Sequence, residues 1–294
     1  MSPRLAALLP TAVFLAHIAL AGPPQKTTAP VDKSQYHLFN PVPAEAMREL
    51  TPDRPDKTES PFTVDAGHVQ VEMDLANFSY DRHNPERTDT RVESWSFGTM
   101  NIKLGLLNHW DLELVVSPYN SVRTAERPNG PITRNQGFGD FTIRTKVNFW
   151  GDEGDSTTAF GVIGFVKLPT AQDDLGNDAV EGGIILPLSI SLPGGWGIGV
   201  MTEVDLNEDG DGHGTHAEWT NSISISKDLT EKLGCYVEFF STVTSERHAP
   251  WVGTADVGVT YAVTDNLSID TGVNFGLTRS ADDVNPFVGL TVRF

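Results

Sequence analysis

Across residues 62–294 apolar side chains recur at every second position, in runs of about 10 to 16 residues set off by Gly, Asn, Asp and Pro clusters. Leu267, Ile269, Val273, Phe275 and Leu277 share one parity, and Ser268, Asp270, Gly272, Asn274 and Gly276 share the other. The same split separates Phe141, Ile143, Val147 and Phe149 from Thr142, Arg144, Lys146 and Asn148. It returns at the end, where Val288, Leu290, Val292 and Phe294 oppose Gly289, Thr291 and Arg293. Successive side chains of a strand point to opposite faces, so each run is a strand with one greasy and one wet face. Strands of soluble sheets run about five or six residues, whereas a tilted strand crossing a bilayer needs about 9 to 11. A soluble exterior could not carry the apolar parity, so that parity faces lipid and the wet one faces a lumen.

Hydrocarbon offers no partner to a bare N–H or C=O, so such a sheet must close on itself. The expected fold class is therefore all-β: a single-chain antiparallel transmembrane β-barrel of about 12 strands in up-and-down topology, an even number as bacterial single-chain barrels have. Connection lengths alternate. Tight turns fall near 107–109, 151–155, 193–195, 228–231 and 264–266; longer polar connections fall near 81–89, 122–136, 169–182, 207–216, 245–248 and 278–283. Short periplasmic turns and long extracellular loops are the asymmetry of an outer-membrane barrel, here in the cell outer membrane of a Gram-negative-type bacterium. Trp110, Trp150, Trp196, Trp219 and Trp251 lie near strand ends, where amphipathic rings form interfacial girdles.

Ahead of the strands, Arg4 precedes an apolar run that ends in Ala19-Leu20-Ala21, so residues 1–21 read as a signal peptide with an A-x-A cleavage site. Residues 22–61 are polar and rich in Pro, a periplasmic tail or plug ordered only by what it touches, followed by the barrel over 62–294. Pro43 suits a first helical position, and residues 43–50 form the one helix-like stretch of the tail. With 39 acidic against 21 basic residues the formal charge is −18, which repels nucleic acid. The single cysteine, Cys235, leaves no disulfide framework.

One block looks familiar. Asp53-Arg54-Pro55-Asp56-Lys57-Thr58-Glu59-Ser60-Pro61, running on to Glu72, resembles the opening of the outer-membrane transporter family named for the MetA pathway of phenol degradation. Gly137-Phe138-Gly139-Asp140, Lys167-Leu168-Pro169-Thr170 and the terminal Phe294 resemble its later blocks. The resemblance implies a barrel moving small organic molecules, aromatic compounds among them, and it brings no catalytic or ligand residues. A terminal aromatic resembles the signal that barrel-assembly machinery reads, which implies that machinery as a partner through Phe294.

Two short motifs suggest chemistry and fail. His213-Gly214-Thr215-His216-Ala217 resembles the histidine block of subtilisin-like proteases, but no matching serine block exists. Asp205, Asn207, Asp209, Gly210 and Asp211 follow the first positions of a calcium loop, yet His216 stands where the bidentate Glu belongs, leaving a solvated acidic loop or a weak surface calcium site. No catalytic, cofactor-binding or metal-binding set is assigned, so the expected protein is not an enzyme and takes no cofactor.

The wet parity holds nine acids, Glu72, Asp74, Glu113, Asp140, Glu203, Asp205, Glu238, Asp256 and Asp270, and four bases, Lys103, Arg144, Lys146 and Lys167; His68 belongs to the same face. As an open lumen this lining favours cations; the alternative is that its members pair and fill the interior as a salt-bridged plug. The expected function is an outer-membrane channel passing small solutes by diffusion, in contact with outer-membrane lipid. The competing readings are a barrel enzyme of the lipid-hydrolase type and a structural or receptor barrel with a filled lumen.

Overall fold

The computed structural model describes residues 32–84, 89–127, 129–154, 156–172, 174–176, 178–209, 212–247 and 249–294. The signal-peptide reading of residues 1–21 lies outside them. Residues 33–294 form one unit.

Fifteen strands make one antiparallel sheet: β1 (Val69–Asn84), β2 (Thr90–Phe97), β3 (Met100–Leu107), β4 (Trp110–Val116), β5 (Tyr119–Glu126), β6 (Ile132–Gly137), β7 (Phe141–Trp150), β8 (Thr158–Leu168), β9 (Glu181–Leu192), β10 (Trp196–Glu208), β11 (Thr215–Asp228), β12 (Leu233–Thr244), β13 (Val252–Thr264), β14 (Leu267–Gly276) and β15 (Val284–Arg293). Three pairs are single long staves with a break in the middle. β2 and β3 both pair with β1, β5 continues β4, and β6 continues β7. The result is a closed 12-stave barrel. Closure is made by β1 and β15, from Gln70 opposite Arg293 to Tyr80 opposite Val284. The breaks fall at Gly98, at Ser117-Pro118 and at Phe138 to Asp140, side by side on adjacent staves. Gly98 has φ +72°, which a glycine adopts without strain, and Pro118 has no N–H to give the ladder.

Alternation decides which way each residue looks. Ile143, Ile184, Leu206, Val237, Phe275 and Val288 stand exposed on the outside, while Lys103, Glu113, Lys146 and Asp256 are buried inside. The five tryptophans are about half exposed: Trp110, Trp150 and Trp196 ring the short-turn end, and Trp219 and Trp251 the other. Trp95 joins the outer belt, packed on Phe78 at 4.5 Å and Phe97 at 5.6 Å between ring centres. This apolar exterior with aromatic ends is that of an outer-membrane barrel, and the molecule sits in that membrane.

Three sequence expectations need correction. The long connection read over 122–136 is mostly strand: β5 and β6 form a ladder from Asn120–Gly137 to Ala125–Ile132. Their polar side chains on both faces erase the alternation that would have announced them. The helix-like stretch 43–50 shrinks to a 3₁₀ turn at Ala44–Ala46, because the Arg48 backbone N–H and guanidinium both turn to the Asp65 carboxylate, at 3.0 and 3.1 Å. And the inward parity is not wet all round: Ile163, Ile185 and Met201 point into the lumen and form its buried apolar cluster.

Candidate functional site

The tail does not hang free. Near the short-turn rim it is fastened first: Leu38 donates to the Leu106 carbonyl (2.9 Å), Val42 to Ala66 (3.0 Å), and His68 bridges the Val42 and Phe294 carbonyls at 2.7 and 2.8 Å. His68 is therefore a rim residue, just before β1, rather than one of the lumen wall. Arg48 pairs with Asp65 and with Asp152 of the β7–β8 turn, and Thr63 donates to Asp152.

From there residues 53–60 make a loop inside the barrel. The loop is closed on itself by Ser60, whose N–H and hydroxyl donate to Asp53 Oδ1 at 3.0 and 2.6 Å. Asp53 sits between two wall lysines. Lys103 donates to its Oδ2, and Lys146 donates to both oxygens at 2.8 and 2.7 Å. Lys103 and Lys146 are 1% and 0% exposed, a depth at which an ammonium survives only when paired. Glu72 and Glu113 complete the cluster, Glu72 on Lys103 and Glu113 3.6 Å from Lys146. Next to it Arg54 forks onto Asp270 of β14 (3.1 and 2.7 Å) and reaches Asp74 of β1 (2.6 Å). Lys57 meets Asp256 at 2.9 Å, the Lys57 and Thr58 N–H groups donate to Glu238 at 3.0 and 2.7 Å, and Arg144 donates to Glu59 at 2.6 Å.

One short loop thus touches β1, β3, β7, β12, β13 and β14, staves on all sides of the lumen. It is a transverse plug, held by charge pairs rather than by packing. Burial alone would raise the Asp53 carboxyl, but Lys103 and Lys146 overcome it and hold it well below the usual carboxylate range. Two neighbours go the other way. Burial, reinforced by the Glu238 carboxylate, pushes Asp56 up to about 8, and burial pushes Glu59 up to about 7 against the pull of Arg144.

Above the plug, on the side away from the tail's anchor, lies a cavity of about 480 Å³. Arg54, Asp56, Lys57 and Glu59 of the loop form its floor; Glu72, Asp74, Asn101, Arg144 and Glu203 are its polar walls. Met100, Val115, Phe165, Met201 and Phe240 make the rest apolar. Lys57 Nζ lies 4.2 Å from the centre of the Phe240 ring, and Arg144 5.8 Å from that of Phe165, so two cations of the plug junction rest on the cavity's aromatic faces.

A scan against protein families matches residues 52–294 to the family described as the MetA-pathway of phenol degradation. The chain belongs to this family. The MetA-pathway match begins just before Asp53, so it takes in the whole plug loop as well as the barrel. No curated protein is similar enough in sequence to be matched. Among solved structures, the chain is similar to an outer membrane channel from Pseudomonas putida F1, with a TM-score of 0.62, 12% identity, and coverage of 82% of this chain and 99% of that one. It is also similar to the translocator domain of the autotransporter NalP from Neisseria meningitidis, with a TM-score of 0.50, 8% identity, and coverage of 77% and 88%. At such identities the likeness speaks for the fold.

The remaining residues singled out in the sequence fall in three places. Glu203 and Asp205 lie on the β10 wall above the plug, and Lys167 pairs with Glu181 near the outer end of β8 and β9. Asp140 is not a lumen group: at the β6–β7 break it accepts the N–H groups of Thr170 and Ala171 at 2.8 and 2.9 Å, tying down the β8–β9 connection. Asp205 and Asn207 are alternate residues of β10 and Asp209 follows its end, so these three line up along the chain; Gly210 and Asp211 of the calcium-loop reading lie outside the described residues. Sequence reading missed the tail's own Asp53, Arg54, Lys57 and Glu59, whose partners are up to 216 residues away, and the cavity's Phe165, Met201 and Phe240. Phe165 and Met201 do carry the inward parity of their strands; that signal was available.

Proposed function

We propose that this MetA-pathway family member is an outer-membrane channel for small organic solutes, aromatic ones among them, working by diffusion and without covalent chemistry. The observation that carries this reading is the cavity on the outer side of the plug, where Phe165, Phe240, Met201 and Val115 set an apolar wall against a charged floor. Its volume falls within the range of about 300–1,000 Å³ of small-molecule sites, and two aromatic faces give a flat ring something to stack on. Passage then requires the loop 53–60 to leave its seat. Its hold is suited to that, because charge pairs can be exchanged for hydration, whereas an apolar plug could not be. The terminal Phe294, exposed at the closing seam beside Val69, is the proposed contact for barrel assembly.

The test is liposome swelling with a phenol-sized aromatic solute and with a small sugar, for the full chain and for a chain lacking residues 32–61. Faster entry of both solutes after removal, with the aromatic favoured in the full chain, is expected. A filled structural barrel is the second reading, favoured by the density of ion pairs around the plug. It replaces the channel if the shortened chain still folds and neither solute enters.

A further inference from the structure

The two motifs that led nowhere in the sequence meet in the structure. Asp209, His216 and Glu246 bring one ligand atom each to within 4.8 Å of one another, the one such convergence of His, Cys or carboxylate groups among the described residues. Strand register creates it. In the β10–β11 ladder Asn207 faces His216 and Glu208 faces Thr215, which places Asp209 one step past the end, where its N–H donates to the Gly214 carbonyl at 3.2 Å. On the other side Glu218 faces Thr244. Ser245 then extends the pairing by two bonds with Ala217, at 2.8 and 2.9 Å, so Glu246 comes level with His216. By strand alternation His216 shares the inward face of Thr220 and Ser222, and Asp209 that of Asp205.

We propose that Asp209, His216 and Glu246 bind a divalent transition-metal ion of the zinc type at the outer mouth of the barrel. His216 Nδ1 and Asp209 Oδ1 are 3.0 Å apart. The two atoms are joined by a hydrogen bond; an ion taking the place of that proton needs them to open only to about 3.4 Å, the separation of two donors about 2.1 Å from a tetrahedral ion. Glu246 supplies a third donor from a flexible side chain. An imidazole nitrogen with two carboxylates suits zinc and its neighbours, whereas calcium takes six to eight oxygens and no nitrogen. The ion would clamp the connection leaving β10 to the one leaving β12 across the end of β11. The closest sequence cue was misread because Glu246 lies thirty residues beyond His216 and only the ladder brings it alongside.

The experiment is calorimetric titration of the full chain in detergent with Zn²⁺ alone and with Ca²⁺ alone. One Zn²⁺ per chain is expected, with affinity at least tenfold weaker in His216→Ala and in Glu246→Gln, and unchanged in His109→Ala, at the opposite end of the barrel. Faster migration of unboiled protein on a denaturing gel checks that each variant is folded. Independently of any variant, Co²⁺ added to the unaltered chain should give visible absorption bands that Zn²⁺ abolishes. Equal Zn²⁺ affinity in the folded variants, tighter binding of Ca²⁺ than of Zn²⁺, or no Zn²⁺ binding at all would overturn the proposal.

Discussion

Lys146 Nζ, on the barrel wall, lies 2.8 Å from Oδ1 and 2.7 Å from Oδ2 of Asp53, on the tail, and the two groups are 93 residues apart in the chain. Neither would be tolerated there alone. An ammonium at 0% exposure and a carboxylate at 9% each need an opposite charge, so the wall is built for the tail and the tail for the wall.

Replacing Asp53 by Asn therefore strikes the seat of the plug. Lys103 keeps Glu72 and Lys146 keeps Glu113, so the barrel stays folded while the seated loop loses up to about 3–5 kcal/mol, the cost of breaking a buried pair. In a planar bilayer the variant should show channel openings far more often than the unaltered chain. An identical opening rate would show that Asp53 does not hold the plug.

The plug should loosen as pH rises. Asp56 at about 8 and Glu59 at about 7 sit above their ordinary values near 4, so the seated state binds more protons than the released one. Their contribution to seating is full below pH 4 and declines through the interval up to about pH 8. Conductance recorded from pH 5 to pH 9 should climb across the upper part of that range. In Asp56→Asn, which cannot ionise, the climb should flatten; a slope equal to that of the unaltered chain refutes the assignment to Asp56.

With the tail removed, Asp74, Glu238, Asp256 and Asp270 lose their plug partners Arg54, Lys57 and Thr58 and face the lumen. Such carboxylates favour cations in a narrow pore. A chain lacking residues 32–61, placed in a potassium chloride gradient, should give a reversal potential on the potassium side. A chloride-selective reversal potential would mean that the wall bases dominate.

Phe240→Ala should weaken the preference for aromatic solutes. The ring forms part of the cavity wall and carries Lys57 on its face, and losing it removes apolar surface worth about 1.5–3 kcal/mol when fully covered. Competition by a phenol-sized solute for an environment-sensitive aromatic dye is the readout, with roughly tenfold or greater weakening expected. Affinity for the dye unaltered by the substitution would place the solute elsewhere.

How much of this was readable beforehand follows from range. Parity along each strand, about 12 staves, the outward apolar rows and the alternation of short and long turns are local or periodic properties, and they were legible. So was the inward placement of Glu72, Lys103, Glu113, Lys146 and Asp270, because a side chain two positions along a strand shares its neighbour's face. The hairpin of β5 and β6 was hidden, since polar side chains fall on both of its faces and no parity stands out. The helix expected after Pro43 was lost to Asp65, a tertiary partner stronger than local preference.

The amino-acid order by itself determined a closed antiparallel cylinder with an oily outside and a charged inside, because alternation has a period of two and hydrocarbon forbids a free edge. Tertiary structure alone decided what the inside charges do. Whether those acids and bases lie open to water or grip a segment of the tail depends on which staves stand opposite one another and on where residues 53–60 come to rest. Both are settled by contacts across the lumen between groups far apart in the chain. The same holds at the mouth, where a carboxylate becomes the neighbour of His216 only once the β11 and β12 ladder is in register.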